Sequence, residues 1–330
     1  MLIAPVAGVN REHLLDTLNT LHSSLVSVQQ AGGPMISAVE RAHRYLEWTH
    51  ETRRMLRRQI HPDNLQHLIP DRNYEVVLMA AAALRDVNLA AAKEQYSEQT
   101  YSQNASRDGA RQLNGLLGML MDEQAEALNA ARESLAKEMQ RFQRDGVLVV
   151  LDTNIYMEHP QQIEDIDFAA LLHAGFEPIH ILVPLVVVDE LDKGKRSGWN
   201  GWKAAYSLSY IDRISQQGGL MREKDMSHDE TARGQVTIEV VLDPPGHVRL
   251  PTNDDEIVSR ALAIKTLAGK QVGLLTYDTG MAMRGRAAGL QVRWLEQPPK
   301  DKKRQARRRH GEEADDGERR GERGSAEGTG

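Results

Sequence analysis

The chain has 330 residues, 40% hydrophobic and 27% charged, with 41 basic and 47 acidic side chains and a formal net charge of −6. That length holds two domains and a sizeable core at an ordinary globular composition, and the acidic balance excludes a protein that holds nucleic acid by overall charge alone. Cysteine is absent, which excludes disulfides and thiolate metal sites and fits a reducing compartment. The opening MLIAPVAGVN lacks the basic region of a secretory signal, and the longest apolar runs, VVLMAAAAL and ILVPLVVV, are too short to span a bilayer. The expectation is a cytoplasmic protein with no membrane contact.

Residues 1–144 read as a helical domain. Leu14, Leu18, Leu21, Leu25 and Val28 recur at alternating spacings of four and three after a capping Asn10. Gly32, Gly33 and Pro34 end that helix and start a second, which carries Arg53, Arg54, Arg57 and Arg58. A third begins near Asp71, and SQNASRDG reads as a polar break after it. The last, about 109 to 143, places Met121, Leu128, Leu135 and Phe142 seven residues apart. That is a heptad seam for a long partner helix. The partner is either another helix of the same chain, giving a bundle, or a second copy, giving a homo-oligomer through the N-terminal helices.

From Gly146 the period changes. VLVVLD, PIHILVP, QVTIEVVLD, QVGLLTYD and GLQVRWLE read as strands with helical segments between most of them. The pattern predicts an α/β domain over residues 145–297 with a mainly parallel sheet. Residues 298–330 are Pro, Gly and charge without periodicity and read as a disordered charged tail.

Five acids in this half stand at predicted element ends or in a predicted helix. Asp152 and Asp278 follow strands, Glu190 follows the valine run after Pro184, and Asp254 and Asp255 open a helix of Ile257, Ala261, Ile264 and Ala268. Ligands of an open parallel sheet sit beyond the carboxyl ends of its strands, so these carboxylates aim at one crevice. Their mutual repulsion is relieved by a hard divalent cation with oxygen ligands, Mg²⁺ or Mn²⁺. Each acid also has a structural reading. Asp254, Asp255 and Glu256 suit a helix N-terminus, Asp152 suits a turn, and Glu190 suits a solvated face.

In order and spacing, VLDTNIYMEHP, VPLVVVDELDKGK, NDDEIVSRAL and LLTYDTGM resemble the PIN domain family of metal-dependent ribonucleases, over about residues 146–296. The likeness is closest to the PIN domains found beside PhoH-type ATPases, although no GxxxxGK[ST] motif is present. The helical N-terminal half resembles no family. The resemblance implies a three-layer α/β/α fold and metal-assisted hydrolysis of RNA phosphodiesters. It makes Asp152, Asp254 and Asp278 metal ligands, directly or through water, and Glu190 the holder of metal-bound water or a second ion. Thr153, Asn154, Asp255, Thr276 and Thr279 become supports for those ligands. Lys195 and Arg196 become phosphate contacts, with a solvated charge run as the alternative.

The arginine group on the second helix and the seven basic residues between Lys300 and Arg309 offer nonspecific tethers for RNA. Aromatic residues are only 5%, which argues against a broad stacking platform. An RNA- or protein-binding scaffold that does not cut is the alternative function. The toxin of a toxin–antitoxin pair is a third, disfavoured by the long helical half.

Overall fold

The computed structural model describes residues 3, 5, 6, 8–30, 36–93, 99–196, 201–224, 233–244 and 247–297. The expected break at Gly32–Pro34 and the expected tail lie outside them. An all-helical N-terminal part precedes a three-layer α/β part.

The helices are α1 (Arg11–Gln30), α2 (Ala38–Leu56), α3 (Pro62–Leu68), α4 (Asp71–Lys93) and α5 (Gln99–Phe142). Asn10 caps α1 as expected, its Oδ1 accepting from the Glu12 N–H at 2.7 Å. Leu14, Leu18, Leu21 and Leu25 are buried, and so are Met121, Leu128, Leu135 and Phe142 on α5. The heptad seam of α5 is therefore filled by the chain's own α1, α2 and α4. Two expectations need correction. The polar stretch 102–109 is no break but lies inside α5. Arg57 and Arg58 lie past the end of α2, with Arg57 as its C-cap. The short α3, with Pro62 at its first position, was not anticipated. Among the described residues no helix is long and apolar enough to cross a membrane.

The α/β part runs β1 (Val147–Leu151), α6 (Thr153–Glu158), α7 (Phe168–Leu172), β2 (Ile179–Pro184), α8 (Leu185–Gly194), α9 (Gly201–Gln216), β3 (Leu220–Arg222), β4 (Val236–Val241), α10 (Asn253–Ala268), β5 (Val272–Thr276), α11 (Thr279–Ala287) and β6 (Gln291–Trp294). The sheet order is β3-β4-β2-β1-β5-β6, parallel except for the β3–β4 pair. The central strands are buried along their length, which explains their unbroken apolar runs. Short β3, half-exposed at the sheet edge, carries no such run and was not foreseen.

Entry into the sheet depends on Gly146. Its φ is +94°, and a Cβ there would meet the Pro178 carbonyl oxygen at 2.1 Å. The bare backbone lets the Val147 N–H reach that oxygen at 2.8 Å and sets the β1–β2 register. The two parts share one apolar core. Polar clasps add to it: Arg141 and Arg144 both hold Glu239, each with a 2.7 Å contact, and Lys270 Nζ donates to the Arg144 carbonyl. The Arg11 guanidinium reaches the Leu267 carbonyl in the last turn of α10.

Candidate active site

β1 and β5 are neighbours in the sheet, and the chain turns out of each into a helix whose N-cap is an aspartate: Asp152 for α6 and Asp278 for α11. The two caps differ. Asp278 accepts from the Met281 N–H and does the ordinary work of a cap, while itself exposed. Asp152 is 3% exposed and makes no side-chain cap bond. Its Oδ2 instead accepts from Thr276 Oγ1 at 2.8 Å and faces Asn154 Nδ2 at 3.4 Å. Asp152 thus lacks the capping bond that Asp278 makes. Thr276 is fully buried, and its hydroxyl oxygen also accepts from the Asp278 N–H at 2.9 Å, so one side chain ties both aspartates together.

Glu190 sits on α8, which begins where β2 ends. Its two oxygens accept from Thr153 Oγ1 and from Asn253 Nδ2, the latter at 2.8 Å. Asn253 is the first residue of α10, directly before Asp254. The ring closes through Arg284 on α11, whose guanidinium donates to Asp254 Oδ2 at 2.6 Å and lies 3.1 Å from Asp255 Oδ1. Four segments far apart in sequence are thus stitched side by side by Thr153, Asn253, Thr276 and Arg284. Sequence reading named the two threonines but not Asn253 or Arg284. No local pattern marks either, because their partners lie 63 and 30 residues away.

Burial pushes the Asp152 carboxyl up to about 6. Hydrogen bonds from the Thr276 hydroxyl and the Asn154 backbone N–H pull it down, and the nearby charges of Asp254 and Glu190 push it up further. Asp254 is also raised, chiefly by burial, with Arg284 opposing and Asp278 and Glu190 adding repulsion. The four carboxylates therefore feel one another. Among the described residues, no Lys, Arg or His side chain pairs with Asp152, Glu190 or Asp278.

The tightest potential ligand trio among the described residues lies elsewhere. Asp243, His247 and Glu256 bring one ligand atom each within 4.8 Å of one another, a spacing the four acids do not reach. Two arginines already neutralise that trio: Arg249 Nε donates to Asp243 at 2.9 Å, and Arg260 Nε lies 3.9 Å from Glu256. It is an ion-pair knot beneath α10. Glu256 is fully buried there rather than decorating the helix start, which sequence reading missed.

The remaining expectations are less favoured. Thr279 is exposed and, among the described residues, makes no hydrogen bond to the acids. Lys195 and Arg196 lie at and beyond the C-cap of α8, and Lys195 Nζ pairs with Asp192 at 2.9 Å. Of the arginine group near α2, Arg53 is held by Asp71 and Arg54 by Glu51.

Arg284 yields a direct test. Its side chain is 43% exposed, so its pair with Asp254 is screened and contributes about 0.2–1 kcal/mol. A cation bound by Asp254 has to compete with it. Arg284→Gln is expected to tighten Mn²⁺ binding about two- to fivefold by calorimetry and to lower slightly the melting temperature of the metal-free protein. Weaker binding in the variant would mean that Arg284 orients Asp254 rather than competing for it.

A family model described as PIN domain matches residues 149–296, and the helical N-terminal part matches no family model. No curated protein sequence matches the chain.

Proposed function

Starting from the match of residues 149–296 to the PIN domain family, a nuclease-type fold, we propose that the protein is a metal-dependent endoribonuclease. Its site is Asp152, Glu190, Asp254 and Asp278. One observation carries the reading: these carboxylates gather at the carboxyl edge of a parallel sheet, one of them buried, and three have no cationic partner among the described residues. A buried, uncompensated carboxylate is costly. An all-oxygen donor set of this kind fits Mg²⁺ or Mn²⁺.

Asp152, Asp254 and Asp278 would hold the ion, with Glu190 beside it. When bound, such an ion supplies charge to the phosphoryl oxygen and lowers the pKa of an attacking water. The rest falls to the chain. Thr276 fixes the Asp152 carboxylate at Oδ2. Thr153 and Asn253 clamp Glu190 from both sides, so its carboxylate cannot swing away. The buried strands behind the acids exclude water from one side and leave the open edge for a phosphodiester.

The test is cleavage of a mixed RNA pool by the full-length protein with and without Mn²⁺. Cutting that requires the metal supports the reading, and intact RNA at all divalent metals tested overturns it. Thr276→Val gives a second check. Valine keeps the shape but removes the hydroxyl that donates to Asp152. Loss of such a support typically costs 10–100-fold in metal affinity, against a stability loss of about 1 kcal/mol. Unchanged Mn²⁺ affinity in this variant would remove Thr276 from the site.

A further inference from the structure

Low aromatic content hides one well-placed ring. Trp294 is the last residue of β6, 44% exposed at the carboxyl edge of the sheet. Its Cα is paired with Thr276, and the Leu295 N–H donates to the Thr276 carbonyl at 2.9 Å. The indole N–H donates to the Tyr277 carbonyl at 3.1 Å, against the peptide that leads into Asp278. Thr276 in turn bonds Asp152. The Trp294 backbone therefore stands two strand spacings from that of Asp152, roughly 10 Å, and the ring is held in place by its one polar atom. Among the described residues, the other exposed aromatics of this part are placed differently. Phe176 precedes β2, at the opposite edge of the sheet, and the Trp202 ring is already covered by Lys203 at 5.7 Å.

We propose that Trp294 is a stacking site for one unpaired base of a single-stranded nucleic acid whose backbone passes the four acids. The site rests on the nuclease reading and adds to it a residue that positions the strand. An indole fixed at its nitrogen and 44% exposed offers a π surface that accepts any base, because every base has a π face. A duplex keeps its bases stacked on one another and cannot use such a ring.

The test compares Trp294→Phe with Trp294→Leu in the full-length chain. Both lose the bond to Tyr277, and both fill the site with an apolar side chain. Only phenylalanine keeps an aromatic face. Binding of a fluorescein-labelled ten-nucleotide RNA of mixed sequence is read by anisotropy with Mg²⁺ present, in an Asp152→Asn background, with the oligonucleotide checked for integrity. The phenylalanine variant is expected within about threefold of the Trp294 protein, and the leucine variant roughly tenfold weaker. The same RNA annealed to its complement is expected to bind all three alike. Where leucine disturbs folding, Trp294→Met serves as the non-aromatic member. Equal affinity of Phe and Leu variants for the single strand overturns the proposal, and so does an equal loss on the duplex. If wild-type protein cuts RNA but Phe and Leu variants bind alike, the stacking site falls and the nuclease reading stands. If the leucine loss is seen but the wild type cuts nothing, the stacking site stands and the nuclease reading falls.

Discussion

Asp152→Asn is expected to abolish Mg²⁺- or Mn²⁺-dependent RNA cleavage and, without metal, to make the protein more stable near neutral pH. Asparagine keeps the size of the side chain and an oxygen for the Thr276 hydroxyl. It removes the charge that a cation would need. The stability gain follows from burial. The folded protein holds Asp152 at about 6, from an ordinary value of 3.8. A carboxyl raised on folding binds more protons in the folded than in the unfolded state between about pH 4 and 6, so stability falls as pH rises through that window. Above it the ionised, buried group costs the fold roughly 3 kcal/mol. The asparagine variant lacks this cost, and its melting temperature in EDTA should fall less steeply between pH 4 and pH 6.5 than that of the wild type. Asp254 is raised in the same direction and leaves some slope in both proteins. Added Mn²⁺ should then reverse the order, raising the wild type and leaving the variant nearly unmoved. Undiminished metal-dependent cleavage by Asp152→Asn would defeat the assignment of the site.

The site divides into what a sequence can display and what only folding assembles. The aspartates after β1 and β5 were visible because a buried parallel strand is an unbroken apolar run, and its end is marked by the first polar residue. Pro184, the last residue of β2, is the N-cap of α8. Asn253, Arg284 and Trp294 were not visible. Their importance comes from partners on other elements, and a lone exposed tryptophan or arginine looks the same on any surface. The N-terminal part shows the opposite failure. Asn104, Ser106 and Gly109 have poor helix propensity, yet α5 runs through them. Packing against α4 overrides propensity there: Ser106 Oγ donates to Asn88 at 2.6 Å, and the bare Gly109 leaves just enough room for Leu84, whose Cδ1 would stand 3.0 Å from an added Cβ.

Three consecutive acids, Asp254, Asp255 and Glu256, look alike as helix-start charges, and the structure gives them three different tasks. Asp254 faces the site, and Asp255 is an exposed partner of Thr252 and Arg284. Glu256 turns inward, fully buried, with Oε1 at 2.6 Å from His247 Nε2 and Oε2 accepting from the Leu250 N–H at 2.9 Å. Its charge also offsets that of Arg260, whose side chain is 10% exposed and which burial disfavours in its charged form. Glu256→Ala leaves that guanidinium and the Leu250 N–H without the carboxylate. Breaking a buried pair from one side costs about 3–5 kcal/mol. Asp255→Ala loses only exposed contacts and is expected to cost under about 1 kcal/mol. Glu256→Gln, which keeps an acceptor but not the charge, should fall between them. Because Glu256 anchors the first turn of α10 to residues 247–250, its loss should also loosen the helix start that presents Asn253 and Asp254. Hydrogen exchange at residues 250–257 is then expected to speed up in Glu256→Ala before the rest of the sheet opens. Chemical denaturation of the three variants decides the matter: if Glu256→Ala proves as stable as Asp255→Ala, the buried carboxylate is not what seats α10 against the site.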